Sequence, residues 1–393
     1  MRRPPHALVL TWHHPLYSER FVVDHVEGLV ARGWDVTVAC VELDEAALAG
    51  RPVLATQTRT VVLDEVAERT PVRRLRSLLA ERELLAARSP TVRHAALVAG
   101  PLRRLLADVR PDLVHGHYAP NGAAAALACG VGGPPVVADL HGFDLTDRPQ
   151  AEGWGPTRRL LAGTSVVVHS SYAAGQVRGG AGLDATVVRY GTPPVFWAPE
   201  RGRRWTQPLR ILVVARLVPE KGVDVAVQAV VELARTHPHV DPHLTVLGDG
   251  PEEASLRTFV EVFGAEDRTT FAGVQDEAGV ATTMREHDVL LVPSRELEHG
   301  WREAFGRVAA EGLASGMAVV ASATGGLSEA LDGAGHLVPP DDPRALADAV
   351  ARLLAQSSPA AEVERTTAAR AVHPLEETWD GYDVLGRSLL GSG

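Results

Sequence analysis

Lysine is almost absent. Lys221 is the only one in a chain of 393 residues with 39 lysines and arginines together. Asn121 is likewise the only asparagine and Ile211 the only isoleucine, so singularity alone marks a coding bias and not a site. Cysteine is scarce too. Cys40 and Cys129 form no CxxC or other metal-ligand spacing, which excludes a disulfide scaffold and fits a reducing cytoplasm. No stretch approaches the roughly 18 apolar residues of a membrane span. The start, "MRRPPHALVLTW", has an apolar run of about six residues, short of the roughly 7–15 in a signal-peptide core, and no cleavage site follows. The expected location is the cytoplasm. No GxGxxG follows the first apolar run, which argues against a nicotinamide dehydrogenase. No DxD motif is present to suggest a metal-held diphosphate.

With 45% apolar and 22% charged residues the chain is globular, and its length suits two domains of somewhat under 200 residues each. The net charge of −10 argues against nucleic acid as a partner. Charge is unevenly placed, however: Arg69 to Arg110 holds ten arginines against Glu81, Glu83 and Asp108. Leu75, Leu78, Leu79 and Leu85 add an apolar stripe, a pattern that fits contact with an anionic membrane surface. A core-facing stripe with solvated arginines is the favoured reading.

Short apolar runs alternate with longer amphipathic stretches. "HALVLTW", "DVTVACV", "DLVHGH", "PVVADLHG" and "SVVVHS" end in polar residues or glycine. Helix-like segments lie between them, among them 18–32 and 121–129, closed by Gly33 and Gly130. The alternation predicts a parallel sheet with helices on both faces. The proline- and arginine-rich stretch from Tyr190 to Pro208 interrupts it. A second series follows: "LRILVVAR", "HLTVLGDG", "TTFAG", "DVLLVPS", "AVVAS" and "GHLVPP". Leu375, Trp379, Tyr382, Leu385 and Leu389 then predict an amphipathic last helix. The expected organisation is a Rossmann-like domain over 1–195 completed by a helix at 375–391, a linker at 196–208, and a second Rossmann-like domain over 209–372. Open parallel sheets bind ligands at the carboxyl ends of their strands. If the two sheets face each other, both sets of ends line one cleft. His13, His14, His115, His117, His141, Ser170, Arg216, Asp249, Ser294, Gly325 and Gly326 all fall at such ends.

The sharpest constellation is "WREAFGRVAAEGLASG", Trp301 to Gly316. Ala304 to Ser315 reads as a helix stopped by Gly316, with Glu303 just before it and Glu311 within it. At about 1.5 Å per residue the two carboxylates stand roughly 12 Å apart along the axis. Between them lie the amides of the first turn, a natural anion site. A sugar nucleotide has this layout of sugar hydroxyls, pyrophosphate and ribose hydroxyls. An isolated pair would read more simply as two ordinary helix acids. This one is not isolated, because Arg216 and Lys221 flank the turn "ARLVPEKG", where two cations reach a diphosphate. "LGDGPEEASL" adds Gly248 and a capping Asp249. "TGGLSEAL" offers Gly325 and Gly326, which let backbone amides approach phosphate. Sixteen histidines are present, but "HH" and "HGH" lack helical i, i+4 spacing, and no cysteine or carboxylate set completes a site with them. No metal is expected. His115 and His117 share one strand face, where packing is the favoured role and substrate lining the alternative.

The order "ARLVPEKG", "LGDGPE", "VPSRE", "EAFGRVAAEGLASG", "VVASATGGLSE" resembles the donor domain of family-4-type retaining glycosyltransferases of the GT-B fold, over nearly all of 208–372. "RPDLVHGHYA", "PVVADLHGFDL" and "VVRYGTPPVFWAP" are similar, more loosely, to that family's acceptor domain. The resemblance implies an α/β chain of two facing Rossmann-like parallel-sheet domains with an interdomain cleft. It implies transfer of a sugar from a nucleotide-sugar, a UDP-sugar first, to an acceptor hydroxyl with retained configuration. Arg216 and Lys221 would hold the leaving diphosphate. Glu303 would bind sugar hydroxyls beside the amides of Ala304, Phe305 and Gly306, and Glu311 would bind the ribose. Gly248, Asp249, Gly325 and Gly326 would complete the donor site, and His141 would touch the transferred sugar. His13, His14, Ser18, His115, His117 and Asp144 are the acceptor-side candidates. The resemblance implies no cofactor and no metal beyond the nucleotide-sugar co-substrate.

Two departures stand out. Where the family often has a glycine-rich loop, "HHPLYSERF" stands, and Ser18–Phe21 resembles a Ser-Glu-Thr-Phe-like variant. Gly312 follows Glu311 in place of alanine, which weakens a helix by about 1 kcal/mol. The long "SRELEHGW" approach to Glu303 reads as a lid over the sugar. A small aminocyclitol or amino-sugar acceptor suits the acidic remainder of the chain; a cell-envelope glycan or lipid suits the basic segment. The alternatives are a sugar-nucleotide epimerase of the same fold and a non-catalytic nucleotide-sugar-binding protein.

Overall fold

The computed structural model describes residues 3–16, 19–63, 88–198, 207–298, 300–356 and 374–391. Ser18, most of the expected linker (199–206) and residues 64–87, which hold the leucine stripe and the first part of the Arg69–Arg110 segment, lie outside the described residues; the rest of that segment is mostly the helix Pro90–Val109. The chain divides into two compact units: Met1–Tyr190 with Glu376–Gly393, and Gly191–Leu375.

The first unit carries β1 (His6–Leu10), β2 (His13–His14), β3 (Asp35–Cys40), β4 (Glu42–Leu43), β5 (Thr58–Val62), β6 (Leu113–His117), β7 (Val136–Asp139), β8 (Ser165–Val168) and β9 (Ala185–Val187). Seven pair in parallel in the order β5-β3-β1-β6-β7-β8-β9, and β2 pairs with β4 apart from them. β1 and β6 are buried along their whole length, as central parallel strands must be. β5 ("TRTVV") and β9 ("ATV") were not legible as strands. Both are edges, covered only in part, so their burial imposes no apolar run. The helices run from Arg20 to Ala31 and from Ala119 to Cys129, each within two residues of its expected start.

The helix Leu375–Gly391 packs on this sheet through its apolar stripe. Tyr382 is 4% exposed in a core shared with Val9, Val36 and Val167. The Trp379 ring fills the space above Gly28, where a Cβ would lie 2.2 Å from its Cδ1. Trp34 Nε1 donates to Asp383 Oδ1 at 2.6 Å.

The second unit has β10 (Leu209–Val214), β11 (Pro242–Leu247), β12 (Thr269–Gly273), β13 (Val289–Val292), β14 (Ala318–Ser322) and β15 (His336–Val338), all parallel, in the order β12-β11-β10-β13-β14-β15. Ile211 is 1% exposed in its core, an ordinary strand residue. Strand order reverses between β1 and β6 in one unit and between β10 and β13 in the other. Those reversals are the switch points at which open α/β sheets take their ligands.

One helix differs from expectation. It spans Arg307–Ala314 and not Ala304–Ser315, because Gly306 takes a left-handed φ of 88° at its N-cap. Residues 303–306 therefore form a loop, and the helical spacing expected between Glu303 and Glu311 does not apply across it. Asp249 does not cap the next helix either. Glu252 holds that position without a side-chain bond, and the Asp249 carbonyl accepts from the Leu217 N–H at 2.7 Å.

Candidate active site

In the second unit the site is built on the loops after β10 and β13, on either side of the strand reversal. Pro219–Lys221 forms a 3₁₀ turn, and Gly222 follows at φ 61°. A Cβ on Gly222 would lie 2.1 Å from the Pro293 carbonyl oxygen, so only glycine lets this turn close on the end of β13. Arg295 secures it: its N–H donates to the Glu220 carbonyl at 2.9 Å, and its guanidinium joins Asp224 and Asp341, each at 2.5 Å.

The turn delivers Lys221 to Glu303. Lys221 Nζ lies 2.5 Å from Glu303 Oε2, and Ser294 Oγ donates to the same oxygen at 3.2 Å. The Trp301 ring lies under the ammonium, 5.3 Å from its centroid. Arg216 sits earlier on the same loop, largely exposed, with Glu220 Oε1 at 3.8 Å. Glu311 faces Arg307 Nε at 3.7 Å.

The glycines do something other than greet phosphate directly. A Cβ on Gly325 would stand 1.9 Å from the Glu303 carbonyl oxygen, and one on Gly326 2.3 Å from that of Ala304. The Gly326 N–H, expected to face a phosphate, donates to the Glu303 carbonyl at 2.8 Å. The pair thus presses the backbone of Glu303 and Ala304 into place. Gly248 does the same for the Arg216 loop, since a Cβ there would meet the Ala215 oxygen at 1.9 Å. The "SRELEHGW" stretch, read as a lid, is tied down where it is described. Trp301 is buried, and Arg302 holds Glu296 through two bonds of 2.9 Å.

In the first unit the strand ends converge on a buried polar cluster. Register places His117 beside Asp139 on adjacent strands. His115 Nε2 lies 3.3 Å from Asp139 Oδ2, and the Tyr382 hydroxyl donates to that oxygen at 2.6 Å. His141 is 6% exposed, and both its ring nitrogens are engaged: Nε2 lies 3.1 Å from His117 Nδ1, and Nδ1 lies 2.8 Å from the Tyr190 hydroxyl. Burial above all pushes the His141 imidazole down to about 3, against the pull of Asp139, so the ring is neutral. The His141 backbone N–H donates to Asp144 Oδ2 at 3.0 Å, and burial pushes the Asp144 carboxyl up to about 7. Asp139 stays below the ordinary carboxylate range. Burial opposes this, but the surrounding imidazoles and the bonds from His115 and His169 outweigh it.

His13 pairs with Glu42 at 2.9 Å on the exposed β2–β4 edge. His14 is buried with both ring nitrogens unpartnered, and burial followed by Arg51 pushes it down to about 4. Asp139, His25, His169, Tyr190 and Tyr382 were not singled out as site residues from sequence. Only the strand-end position of Asp139 in "PVVADLHG" hinted at a site, because strand register and the last helix bring the others in.

Two family models cover most of the chain: "Glycosyltransferase Family 4" over residues 18–195 and "Glycosyl transferases group 1" over residues 208–356. A D-inositol 3-phosphate glycosyltransferase from Acidothermus cellulolyticus is 30% identical, over 74% of each chain. Glycogen synthase of Mycobacterium tuberculosis is 31% identical over 70% of this chain and 68% of its own. A putative colanic acid biosynthesis glycosyltransferase, WcaL of Escherichia coli, is 30% identical over 62% of this chain, a match that spans only 61% of that protein. Among solved structures, sucrose-phosphate synthase from Thermosynechococcus elongatus superposes with a TM-score of 0.74 at 21% identity, over 99% of this chain and 100% of its own. Anabaena HepE in complex with UDP does so with a TM-score of 0.71 at 17% identity, over 98% and 100%. None of the helices among the described residues is long and apolar enough to cross a membrane. The paired parallel sheets, the strand reversals and these matches agree: the chain belongs to the family-4, group 1 glycosyltransferases of the GT-B fold.

Proposed function

We propose that the protein moves a sugar from a nucleotide-sugar, a UDP-sugar first, to an acceptor hydroxyl with retention of anomeric configuration. The observation that carries this reading is the set Lys221, Glu303 and Ser294 at the β10–β13 reversal. A carboxylate that accepts from sugar hydroxyls stands directly beside a cation suited to the adjoining diphosphate. HepE, a neighbour in fold, has been crystallised with UDP and with UDP-glucose, which supports the choice of donor.

In this reading the bond between the anomeric carbon and the diphosphate oxygen breaks, and the acceptor oxygen bonds to the same face of that carbon. The acceptor's proton passes to the departing phosphate. Lys221 and Arg216 stabilise the charge that builds there, and no protein nucleophile or metal is required. Glu311 holds the ribose. The acceptor is a small aminocyclitol or amino sugar, or a cell-envelope glycan or lipid. Relatives named for colanic acid and D-inositol 3-phosphate fit polyhydroxylated acceptors of this kind.

A panel of UDP-, GDP-, ADP- and TDP-sugars, assayed for release of the nucleoside diphosphate and then against an acceptor library, tests the proposal. Release from one donor, accelerated by a hydroxyl acceptor that becomes glycosylated, is the expected result. If the folded protein neither binds nor turns over any of these donors, the reading is wrong.

A further inference from the structure

Trp12 is the one large hydrophobic side chain exposed among the described residues up to position 63, at 37%. It closely follows β1, at the β1–β6 reversal of the first unit, where an open parallel sheet takes its ligand. A lone exposed aromatic on a loose loop would need no explanation. This one is held on three sides. Its carbonyl accepts from the N–H groups of Val41 and Glu42, both at 2.9 Å. Its indole Nε1 donates to Glu42 Oε1 at 3.2 Å, and the His94 ring packs against it with centroids 5.0 Å apart.

The His94 support is itself fixed. Asn121, the only asparagine, donates from Nδ2 to the His117 carbonyl at the end of β6, at 2.9 Å. That leaves its Oδ1 to accept from His94 Nε2 at 2.8 Å. An aspartate could not make the first bond, so the amide ties the strand end to the ring behind Trp12. Phe143, the other exposed aromatic in this unit, already carries the Arg148 guanidinium 5.1 Å from its centroid.

The edge of the indole is polar. His13 Nε2 meets Glu42 Oε2 at 2.9 Å, and their side chains remain 40% and 61% exposed. An apolar face bordered by a carboxylate and an imidazole matches one kind of ligand closely. Sugar and cyclitol rings carry C–H bonds on their faces and hydroxyls around their rims. Stacked on the indole, the C–H face gains dispersion and contact with the electron-rich ring. Rim hydroxyls can then donate to Glu42 in charge-assisted bonds. An acyl chain laid there would cover Glu42 and His13 without pairing them. A protein partner needs about 800 Å² on each side, far more than one ring provides.

We propose that Trp12, with Glu42 and His13 at its edge, is the platform for the acceptor's polyhydroxylated ring, and that it selects a cyclitol or sugar over an acyl chain. This rests on the glycosyl-transfer reading and narrows its acceptor. The backbone bonds, the Glu42 bond and the His94 support hold the platform ready, so little ordering is needed when the ring arrives.

Saturation-transfer NMR on the full-length protein without donor tests it, with myo-inositol, D-glucosamine, maltose and octanoate as probes. Saturation should reach the ring C–H protons of at least one polyol and not the octanoate chain. Trp12→Ala should weaken that polyol's binding about 10-fold or more, the loss typical of a removed aromatic anchor. Trp12→Phe should retain most of it, and Glu42→Gln should weaken it by less than Trp12→Ala does. Phe263→Ala removes a ring of similar exposure (40%) in the second unit and should bind as the wild type does. Maltose bound in preference to the single rings identifies a glycan end, and the reverse a free small acceptor; either supports the platform. Saturation of no polyol, or of octanoate alone, overturns it, as does affinity unchanged in Trp12→Ala. Should that variant fail to fold, Glu42→Gln decides, and unchanged affinity there overturns the platform. UDP is followed in the same spectra. UDP signals lost in Trp12→Ala would make Trp12 a base-stacking residue and overturn the proposal. Wild type that binds UDP and no polyol sinks the platform alone. Polyol bound through Trp12, with no nucleotide-sugar bound or turned over, sinks the transfer reading and leaves a sugar-binding site.

Discussion

Lys221 Nζ lies 2.5 Å from Glu303 Oε2, a contact between residues 82 positions apart that joins the loop after β10 to the loop after β13. The Gly222 turn brings the ammonium to this point, and Gly325 and Gly326 pack against the backbone of Glu303 and Ala304. The proposed cation for the diphosphate and the proposed acceptor of sugar hydroxyls are therefore already in contact before any donor arrives.

That contact makes the only lysine hard to replace. An ammonium is a compact charge that fits between Glu303 and the Trp301 ring, whereas a guanidinium is a longer planar fork that must align with two oxygens. Lys221→Arg should lower turnover about 10-fold or more, equivalent to about 1.4 kcal/mol of transition-state stabilisation. Lys221→Ala should lower it further, since charge-assisted bonds contribute about 1.5–3 kcal/mol. Steady-state kinetics on folded variants checks both, and a wild-type rate for Lys221→Arg would make the lone lysine an accident like Ile211.

The two glutamates should separate in calorimetry. Glu311→Ala is expected to weaken binding of the nucleoside diphosphate itself, because it removes the proposed ribose contact. Glu303→Ala should leave diphosphate affinity nearly intact, since it frees Lys221, while impairing use of the whole sugar donor. Equal losses in both titrations would contradict the two-ended arrangement of the donor.

Turnover should not depend on Mg²⁺ or Mn²⁺. In the proposed donor site Arg216 and Lys221 would supply the positive charge that a diphosphate-bound metal otherwise brings. Initial rates measured with EDTA present should match those without it. Activity lost to EDTA and restored by Mg²⁺ or Mn²⁺ would show that a metal bears the leaving group.

His14 should make the protein acid-labile. Its folded-state value of about 4 lies below the ordinary 6.5, chiefly through burial. Between those values the unfolded chain binds the extra proton, so stability is present above pH 6.5 and falls as pH drops toward 4. The loss is on the order of 3 kcal/mol. His14→Gln removes the titration, and the fall in melting temperature from pH 6.5 to 4 should become shallower; an unchanged slope would count against it.

Much of this protein was legible along the chain because the relevant physics is local. Apolar runs marked the central strands, since strands buried on both faces must be apolar, and loops after those runs carried Arg216, Lys221, Ser294 and Glu303. Spacing in "LEETWDGYDVLGRSLL" showed the face that the last helix buries. Tertiary structure decided the rest. The edge strands Thr58–Val62 and Ala185–Val187 need little apolar surface, so periodicity left no trace of them. Gly306 started its helix late because the preceding loop is pressed against Gly325 and Gly326, a contact that no local propensity encodes. Asp139 acquired its partners from strand register and from a helix 243 residues away, where Tyr382 reaches its carboxylate. Composition and spacing name the residues at the strand ends; only the pairing of strands determines which of them share a buried charge.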